Sequence, residues 1–215
     1  MKMFAIITKM TQQKDNSMDT LQEAFKKNGM EVIPVATKEE ALALAKTFIR
    51  PGMSIGLGGS TSVAQIGLLE YVTSLSDITL FNQYEKGISM EENARRRREG
   101  MLSDLYICGT NALTKTGELI NADGSGNRVA AQIFGPKKVL IVTGRNKIVE
   151  NVEEGFKRII EIAAPKNIER MNNTALAMGK EPRHNMNNIG NKWAYIDGDV
   201  EGRTTIILVD EDLGF

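Results

Sequence analysis

The stretch Ser103–Gly144 constrains the fold of this chain more than any other part of the sequence. Short apolar runs at Leu105–Cys108 and Val139–Thr143 are bounded by turn residues, which predicts two buried strands. Between them, Arg128–Phe134 predicts a helix, with Asn127 or Ser125 as its N-cap. A Gly-Pro pair then ends that helix. A strand, a helix and a second strand predict a right-handed parallel βαβ unit.

A long polar connection, Gly109–Gly126, separates the first strand from the helix. Its glycines and side-chain oxygens would let the backbone wrap closely around a polar ligand. A long polar segment at the carboxyl end of a strand is a candidate ligand site. The alternative is a turn-rich surface hairpin, with Thr110–Thr114 and Glu118–Ile120 as short strands. The predicted ligand contacts are Thr110, Asn111, Gly117, Asn121, Gly124, Gly126, Asn127 and Arg128.

A second candidate site is a glycine-rich turn that follows a predicted strand at Ser54–Leu57. The sequence GLGGSTS leads from this strand into a predicted helix at Ala64–Val72. Free backbone N–H groups at such a helix start can cradle an anion, although the Gly-Lys-Ser/Thr pattern of nucleotide-binding loops is missing. The alternative is a tight turn that uses glycine for steric reasons alone. The predicted ligand contacts here are Gly56, Gly58, Gly59, Ser60, Thr61 and Ser62.

Two cations, Arg145 and Lys147, follow the second strand of the βαβ unit and are the third predicted set of ligand contacts. Solvation of a charged strand end is the alternative. Because parallel strands end at the same sheet edge, the three segments are expected to line one pocket. Such a pocket suits a small oxygen-rich anion, for example a sugar phosphate, a carboxylate or an acyl thioester.

The catalytic candidates are Glu118 and Asp123, the carboxylates in the central connection. A partly buried carboxylate could act as a general base, but such residues more often cap loop N–H groups. Cys108 lies inside an apolar strand and is expected to pack in the core. The arginine run Arg95–Arg98 is expected to be a solvated helix face, from which Arg95 or Arg98 could still reach the site.

Strands and helices alternate from Glu31 to Ile162, which predicts one α/β domain over residues 1–215 with a doubly wound, mainly parallel sheet. Met3–Met10 follows helical spacing and predicts a short N-terminal helical extension. The helix that starts at Val149 is expected to end at Pro165. Two strands near the C-terminus, Trp193–Ile196 and Thr204–Val209, are expected to form an antiparallel addition to the sheet.

The composition limits which binding partners and which cellular compartment are expected for this protein. The 215 residues carry a formal net charge of zero, which disfavours nucleic acid as a ligand. The single cysteine fits a reducing compartment, and no apolar run approaches the roughly 20 residues of a membrane span. We therefore expect a cytoplasmic protein without membrane partners. The composition is also compatible with a homo-oligomer. With one cysteine and one histidine, neither a metal site nor a bound cofactor is predicted.

Several long motifs resemble the LUD-domain family, which is named for lactate utilisation. They are GTNALTKTGELIN, DGSGNRVAAQIFGPKKVLIVTGRNKIV, IGLGGSTSVAQIGLLE and the terminal ILVDEDLGF. The resemblance implies an α/β fold similar to sugar-phosphate isomerases and coenzyme A transferases. Isomerases of that fold class tend to carry Gly-Ala-Asp where this chain has Gly-Thr-Asn at 109–111, and an amide cannot exchange protons as a carboxylate does.

The resemblance also implies a role in the oxidation of lactate or related organic acids. We expect an accessory or ligand-binding subunit that binds a small anionic ligand, with iron–sulfur oxidoreductase subunits as candidate partners. Many relatives carry a cysteine cluster in the region that matches 178–191, where this chain has only His184 as a candidate metal ligand. The alternative function is a stand-alone isomerase or transferase that acts on a sugar phosphate or an acyl-CoA.

Overall fold

The computed structural model describes residues 18–215, which form a six-stranded parallel sheet and a smaller mixed sheet. A first helix, α1, occupies residues 18–27. The strands are β1 Glu31–Val35, β2 Ser54–Leu57, β3 Thr79–Phe81, β4 Leu105–Cys108, β5 Ala112–Thr114, β6 Leu119–Asp123, β7 Lys138–Gly144, β8 Ile148–Val149, β9 Lys192–Ile196 and β10 Thr204–Val209. The further α-helices are α2 Lys38–Lys46, α3 Thr61–Gln65, α4 Leu68–Ser74, α5 Met90–Gly100, α6 Asn127–Ile133, α7 Val152–Arg158 and α8 Ala164–Ala177.

The six-stranded sheet has the order β1-β10-β7-β4-β2-β3, and every neighbouring pair is parallel. The βαβ unit is confirmed, since β4 and β7 are neighbours joined through α6. Cys108 pairs with Ile141 in this ladder, so the two strands finish at the same edge.

Both faces of this sheet are covered, as a doubly wound fold requires. Along β7, Val139 and Ile141 belong to one apolar cluster, whereas Leu140 and Val142 belong to another. This period of two sends alternate side chains to opposite faces of the strand. The α/β class with flanking helices is therefore confirmed.

The predicted connection between β4 and α6 is a buried β-hairpin. Strands β5 and β6 pair antiparallel, with Ala112 opposite Ile120. Both residues are fully buried and form a third apolar cluster with Ile159. The hairpin alternative therefore gave approximately the right strands, but it was wrong to place them on the surface. The hairpin is the centre of the mixed sheet, whose order is β8-β5-β6-β9.

The two C-terminal strands lie in different sheets and are not an antiparallel pair. Strand β9 pairs antiparallel with β6, whereas β10 lies parallel between β1 and β7. Every residue of β10 is buried, which suits an interior strand covered on both faces. Strand β9 is exposed at three of its five positions, which suits a strand at the edge of a sheet.

The expected end of a helix at Pro165 is wrong, because α7 continues into α8 through a π-helical segment, Ile159–Ala163. The N–H of Ala164 donates to Ile159 O, five residues earlier. This wider turn changes the helical phase just before the proline, which lies in the first turn of α8, where a missing N–H is tolerated. A second predicted helix, Ala64–Val72, is divided into α3 and α4 at Gly67, whose φ is +77°.

The predicted helix at Met3–Met10 lies outside the described residues. Across 18–215, none of the helices combines the length and the apolar character needed to span a bilayer.

We expect Gly56→Ala to lower the free energy of unfolding by about 1–3 kcal/mol, because the added methyl overpacks the interior. A Cβ at Gly56 would lie 2.2 Å from Gly100 O, where β2 packs against α5. The matched control is Gly198→Ala, whose nearest neighbour would be Asn28 O at 3.7 Å. Urea denaturation of both variants is the measurement, and equal stability losses would contradict this account of Gly56.

Candidate functional site

The carboxyl ends of β2, β4 and β7 bring the three predicted segments into contact. A Cβ at Gly109, just after β4, would lie 2.5 Å from Ser60 Oγ in the glycine turn. Lys147 Nζ, which follows β7, donates to Ser62 Oγ and to Thr110 O, both at 3.1 Å. Ser60, Ser62, Thr110 and Lys147 therefore meet at one sheet edge. That they bind a ligand stays a prediction.

Lys147 is a buried lysine, with only 4% of its surface exposed. A single 3-10 turn, Arg145–Lys147, directs Arg145 outward and Lys147 inward. Burial, followed by the nearby charges of Arg158 and Arg128, lowers the pKa of Lys147 from its ordinary value of 10.5 to about 7. A substantial fraction of this amine is therefore neutral at physiological pH.

Arg145, the other predicted cation of this turn, is exposed and bound to carboxylates. Its guanidinium lies 3.3 Å from Asp210 and 3.3 Å from Asp212, just beyond β10. This arrangement matches the alternative interpretation, a charged strand end in solvent.

Arg128 holds the hairpin against α6. Its side chain is 6% exposed and donates to four oxygen atoms. Nη1 donates to Gly109 O at 3.1 Å and to Asn121 Oδ1 at 2.5 Å. Nη2 donates to Asn111 Oδ1 at 2.9 Å and to Ala122 O at 2.8 Å. The predicted contacts Asn111, Asn121 and Arg128 are therefore bonded to one another.

Arg158 is a third buried cation, and it was not among the residues predicted from the sequence. It projects from α7 with 7% exposure and donates to Asn146 O at 3.1 Å and to Asn111 O at 2.5 Å. Burial lowers the pKa of its guanidinium. The available signal was Gly155, three residues earlier on the same helix face, where a Cβ would lie 2.7 Å from Ile120. That close approach marks the side of α7 that faces the hairpin.

Within residues 18–215, the three buried cations have few anionic partners. Arg128 pairs with Asp123 at 3.5 Å. The hydrogen bonds of Lys147 and Arg158 go to a hydroxyl and to backbone carbonyls, all of them neutral. Positive charge therefore outnumbers bound carboxylate in this cluster, an arrangement that is costly when no anion is present.

Asp123 caps helix α6 instead of Asn127 or Ser125. Its Oδ2 accepts from the N–H of Arg128 at 3.0 Å and of Val129 at 3.4 Å. The N-cap position is Gly126, whose φ of +95° takes the chain from the hairpin into the helix and which lacks a capping side chain. The catalytic role of Asp123 stays a prediction, and its carboxylate already serves the helix start.

Ser125 and Asn127 make other contacts. Ser125 Oγ accepts from Arg97 Nη1 at 2.5 Å, so Arg97 is the arginine of its run that reaches this connection. Arg95 binds Glu92 and Glu99 on its own helix, as expected for a solvated face. Asn127 Nδ2 donates to Tyr106 Oη at 3.2 Å.

Glu118 and Gly117 lie at the hairpin turn, away from Lys147. Glu118 accepts hydrogen bonds from the hydroxyls of Thr114 and Thr116. A Cβ at Gly117 would lie 2.7 Å from Ala24 O, so the turn packs on α1 just before β1 begins. The structure therefore does not bring this carboxylate to the carboxyl edge, and its predicted catalytic role stays untested.

Most of the remaining predicted glycines lie in close packing contacts, and at Gly58 this favours the steric alternative for the glycine turn. A Cβ at Gly58 would lie 2.8 Å from Cys108 Cβ, and one at Gly124 would lie 3.1 Å from Ile189 O. Gly126 packs on the side chain of Lys192, and Gly59 is exposed beside Tyr84.

The predicted strand–turn–helix arrangement of the glycine turn between β2 and α3 is confirmed. Ser60 is the N-cap of α3, with Oγ accepting from Val63 N at 3.2 Å, and Thr61 is the first helical residue.

Cys108 is a core residue. It is fully buried, burial raises the pKa of its thiol to about 11, and its sulfur accepts from Gln132 Nε2 at 3.4 Å. In the described part of the chain, no three histidine, cysteine or acidic side chains cluster in a way that could hold a metal ion.

Comparison with known proteins defines the class. The crystal structure of a DUF162 family protein from Deinococcus radiodurans superposes with a TM-score of 0.52 at 16% identity, covering 91% of this chain and 97% of that one. The two proteins therefore share the fold. The sequence model of the LUD domain matches residues 18–209, and the chain belongs to the LUD-domain family. No curated protein matches the sequence.

We expect Lys147→Met to remove a pH dependence of stability. The pKa of Lys147 is about 7 in the folded protein and 10.5 ordinarily, so the unfolded chain binds more protons between these values. The stability of the wild type relative to the variant should rise with pH above 7, by at most about 1.4 kcal/mol per pH unit.

Chemical denaturation from pH 6 to pH 9 measures this slope. Lys157→Met is the control, because Lys157 lies on the surface of α7 beside Glu154. A slope that is the same for wild type and Lys147→Met would show that Lys147 titrates normally.

Proposed function

We propose that this LUD-domain protein binds a small organic anion at the carboxyl edge of its parallel sheet, as a ligand-binding or accessory subunit in the oxidation of lactate or related acids. The observation that carries the proposal is the cluster of buried cations, Arg128, Lys147 and Arg158, which has one bound carboxylate in the part of the chain that the structure describes.

A buried cation without an anionic partner is energetically unfavourable, and a bound carboxylate would offset this cost. The lowered pKa of Lys147, about 7, reflects the free-energy cost of keeping this amine charged in the interior. A carboxylate beside Lys147 would favour the charged amine and raise this pKa again. The hydroxyl of Ser62, which already accepts from Lys147, could orient an oxygen of the ligand.

The lactate part of the proposal comes from the family, and the charge cluster supports an anionic ligand of this general kind. Iron–sulfur oxidoreductase subunits are the partners that an accessory role in such an oxidation implies. Their recovery with a tagged protein purified from its native cells would support the accessory role. Turnover of a sugar phosphate or an acyl-CoA by the purified chain alone would instead favour the stand-alone enzyme.

We expect Lys147→Met and Arg158→Met each to weaken binding of lactate or pyruvate by about tenfold or more, since a hydrogen bond to a charged group contributes roughly 1.5–3 kcal/mol. Isothermal titration calorimetry at pH 6.5 measures the affinities. Lys157→Met should bind as the wild type does, because this neighbour of Arg158 faces solvent.

The pH dependence of binding has a definite sign. As pH rises through 7, Lys147 loses its charge, so the affinity of the wild type for the anion should fall. The affinity of Lys147→Met should change little over the same range. Equal affinities of wild type, Lys147→Met and Arg158→Met would overturn the proposed site.

A further inference from the structure

We propose that Lys147 is a nucleophile, whose amine forms an imine with the carbonyl group of a 2-oxo acid bound at this site. The inference rests on the proposed function, because the buried cations are what would hold the carboxylate of that ligand. It adds a covalent step and a class of ligand that anion binding alone does not require.

The hydrogen bonds of Lys147 suit a neutral amine. A charged lysine has three N–H donors, whereas the neutral form has two and a free lone pair. Among residues 18–215, Nζ has two acceptors, Ser62 Oγ and Thr110 O, each at 3.1 Å. These two acceptors match the two N–H groups of the neutral amine. Its lone pair is not used by either hydrogen bond and points in a third direction.

The surroundings keep the amine neutral. Burial and two guanidinium groups, those of Arg158 and Arg128, lower the pKa of Lys147 to about 7. About half of the amine is then neutral at pH 7, compared with well under 0.1% of an exposed lysine with a pKa of about 10.4. Desolvation and neighbouring cations are the means by which other proteins activate amine nucleophiles.

The step is balanced without an oxidant or a reductant. The amine lone pair bonds to the ketone carbon, and the carbonyl π electrons move to oxygen. A proton transferred from nitrogen to that oxygen gives a carbinolamine, and the hydroxyl of Ser62 can donate a hydrogen bond to the oxygen. Loss of one water then gives the imine. The guanidinium of Arg158, which lies near Lys147, is placed to hold the carboxylate of the acid.

Access to Lys147 depends on the C-terminal segment. A Cβ at Gly214 would lie 3.3 Å from Lys147 Nζ and 2.8 Å from Ser62 Oγ, so this segment passes directly over the amine. Two of the contacts that hold it there are hydrogen bonds to side-chain amides. Leu213 N donates to Asn146 Oδ1 at 3.1 Å, and Gly214 N donates to Gln65 Oε1 at 2.7 Å. Residues 211–215 lie outside the strand ladder, but Leu213 is fully buried in the core, so access to the amine would require Gly214 to move while Leu213 stays in place.

The experiment is reductive trapping of the full chain with pyruvate and sodium borohydride at pH 7.5. Intact mass and peptide mapping then locate the product. Lactate is the matched control ligand, since it has the same carbon skeleton and charge but no carbonyl. Lys147→Met removes the amine, Lys157→Met removes a surface lysine, and circular dichroism confirms that both variants are folded. Calorimetry with the same two acids reports binding separately.

We expect one reduced adduct per chain on Lys147 with pyruvate, formed at least about tenfold faster than on any surface lysine because more of this amine is neutral. No adduct should form with lactate. Lys157→Met should be trapped as the wild type is, and folded Lys147→Met should not.

Three results would overturn the imine. Binding of pyruvate and lactate without a trapped adduct would leave the proposed function in place and remove the covalent step. An adduct spread over surface lysines, and unchanged in Lys147→Met, would show only nonspecific reaction. Failure of both acids to bind would remove the proposed function, and with it the basis of this inference.

Discussion

The hydrogen bonds of Arg128 hold together the parts on which the candidate site depends. One guanidinium joins the end of β4, through Gly109 O, to the hairpin, through Asn121 and Ala122. Arg128 belongs to α6, and the carboxylate of Asp123 caps the start of that helix. The same carboxylate also forms an ion pair with the guanidinium of Arg128. The crossover between β4 and β7 is thereby fixed in one geometry. A buried arginine without these acceptors would be strongly destabilising, so the hairpin and the cation require each other.

This arrangement explains why the mixed sheet packs where it does. The hairpin leaves the carboxyl end of β4 and pairs with β8, which follows the turn that carries Lys147. Helix α7 then packs on the hairpin through Gly155 and brings Arg158 to Asn111. The second sheet thus closes the carboxyl edge of the first and removes three cations from water. Few folds would retain such a cluster for stability alone, because well-packed apolar side chains often serve as well or better.

The proposed anion site and the proposed imine both rest on the burial of Lys147 beside two guanidinium groups, which lowers the pKa of its amine. Arg128 and Arg158 are fixed by carbonyl acceptors, and Lys147 is the member that can lose its charge near neutral pH. The carboxylate of a 2-oxo acid would supply an anionic partner for the cations. Its neighbouring carbonyl group would then lie beside the neutral amine of Lys147. Gly214 lies against this amine, so entry of a ligand would require this residue to move.

The sequence by itself determined the parallel βαβ unit, the glycine turn after β2 and the hydroxyls and cations at the strand ends. These are local patterns, and periodicity and turn chemistry specify them. Tertiary structure alone decided that Lys147 is buried while Arg145 faces Asp210, since both follow the same strand and differ only in where one turn directs them. It also decided that Arg158 joins the cluster, that Glu118 does not, and that β10 lies inside the sheet. Each of these depends on contacts between segments far apart in the chain, and no local pattern encodes which distant surface a side chain will meet.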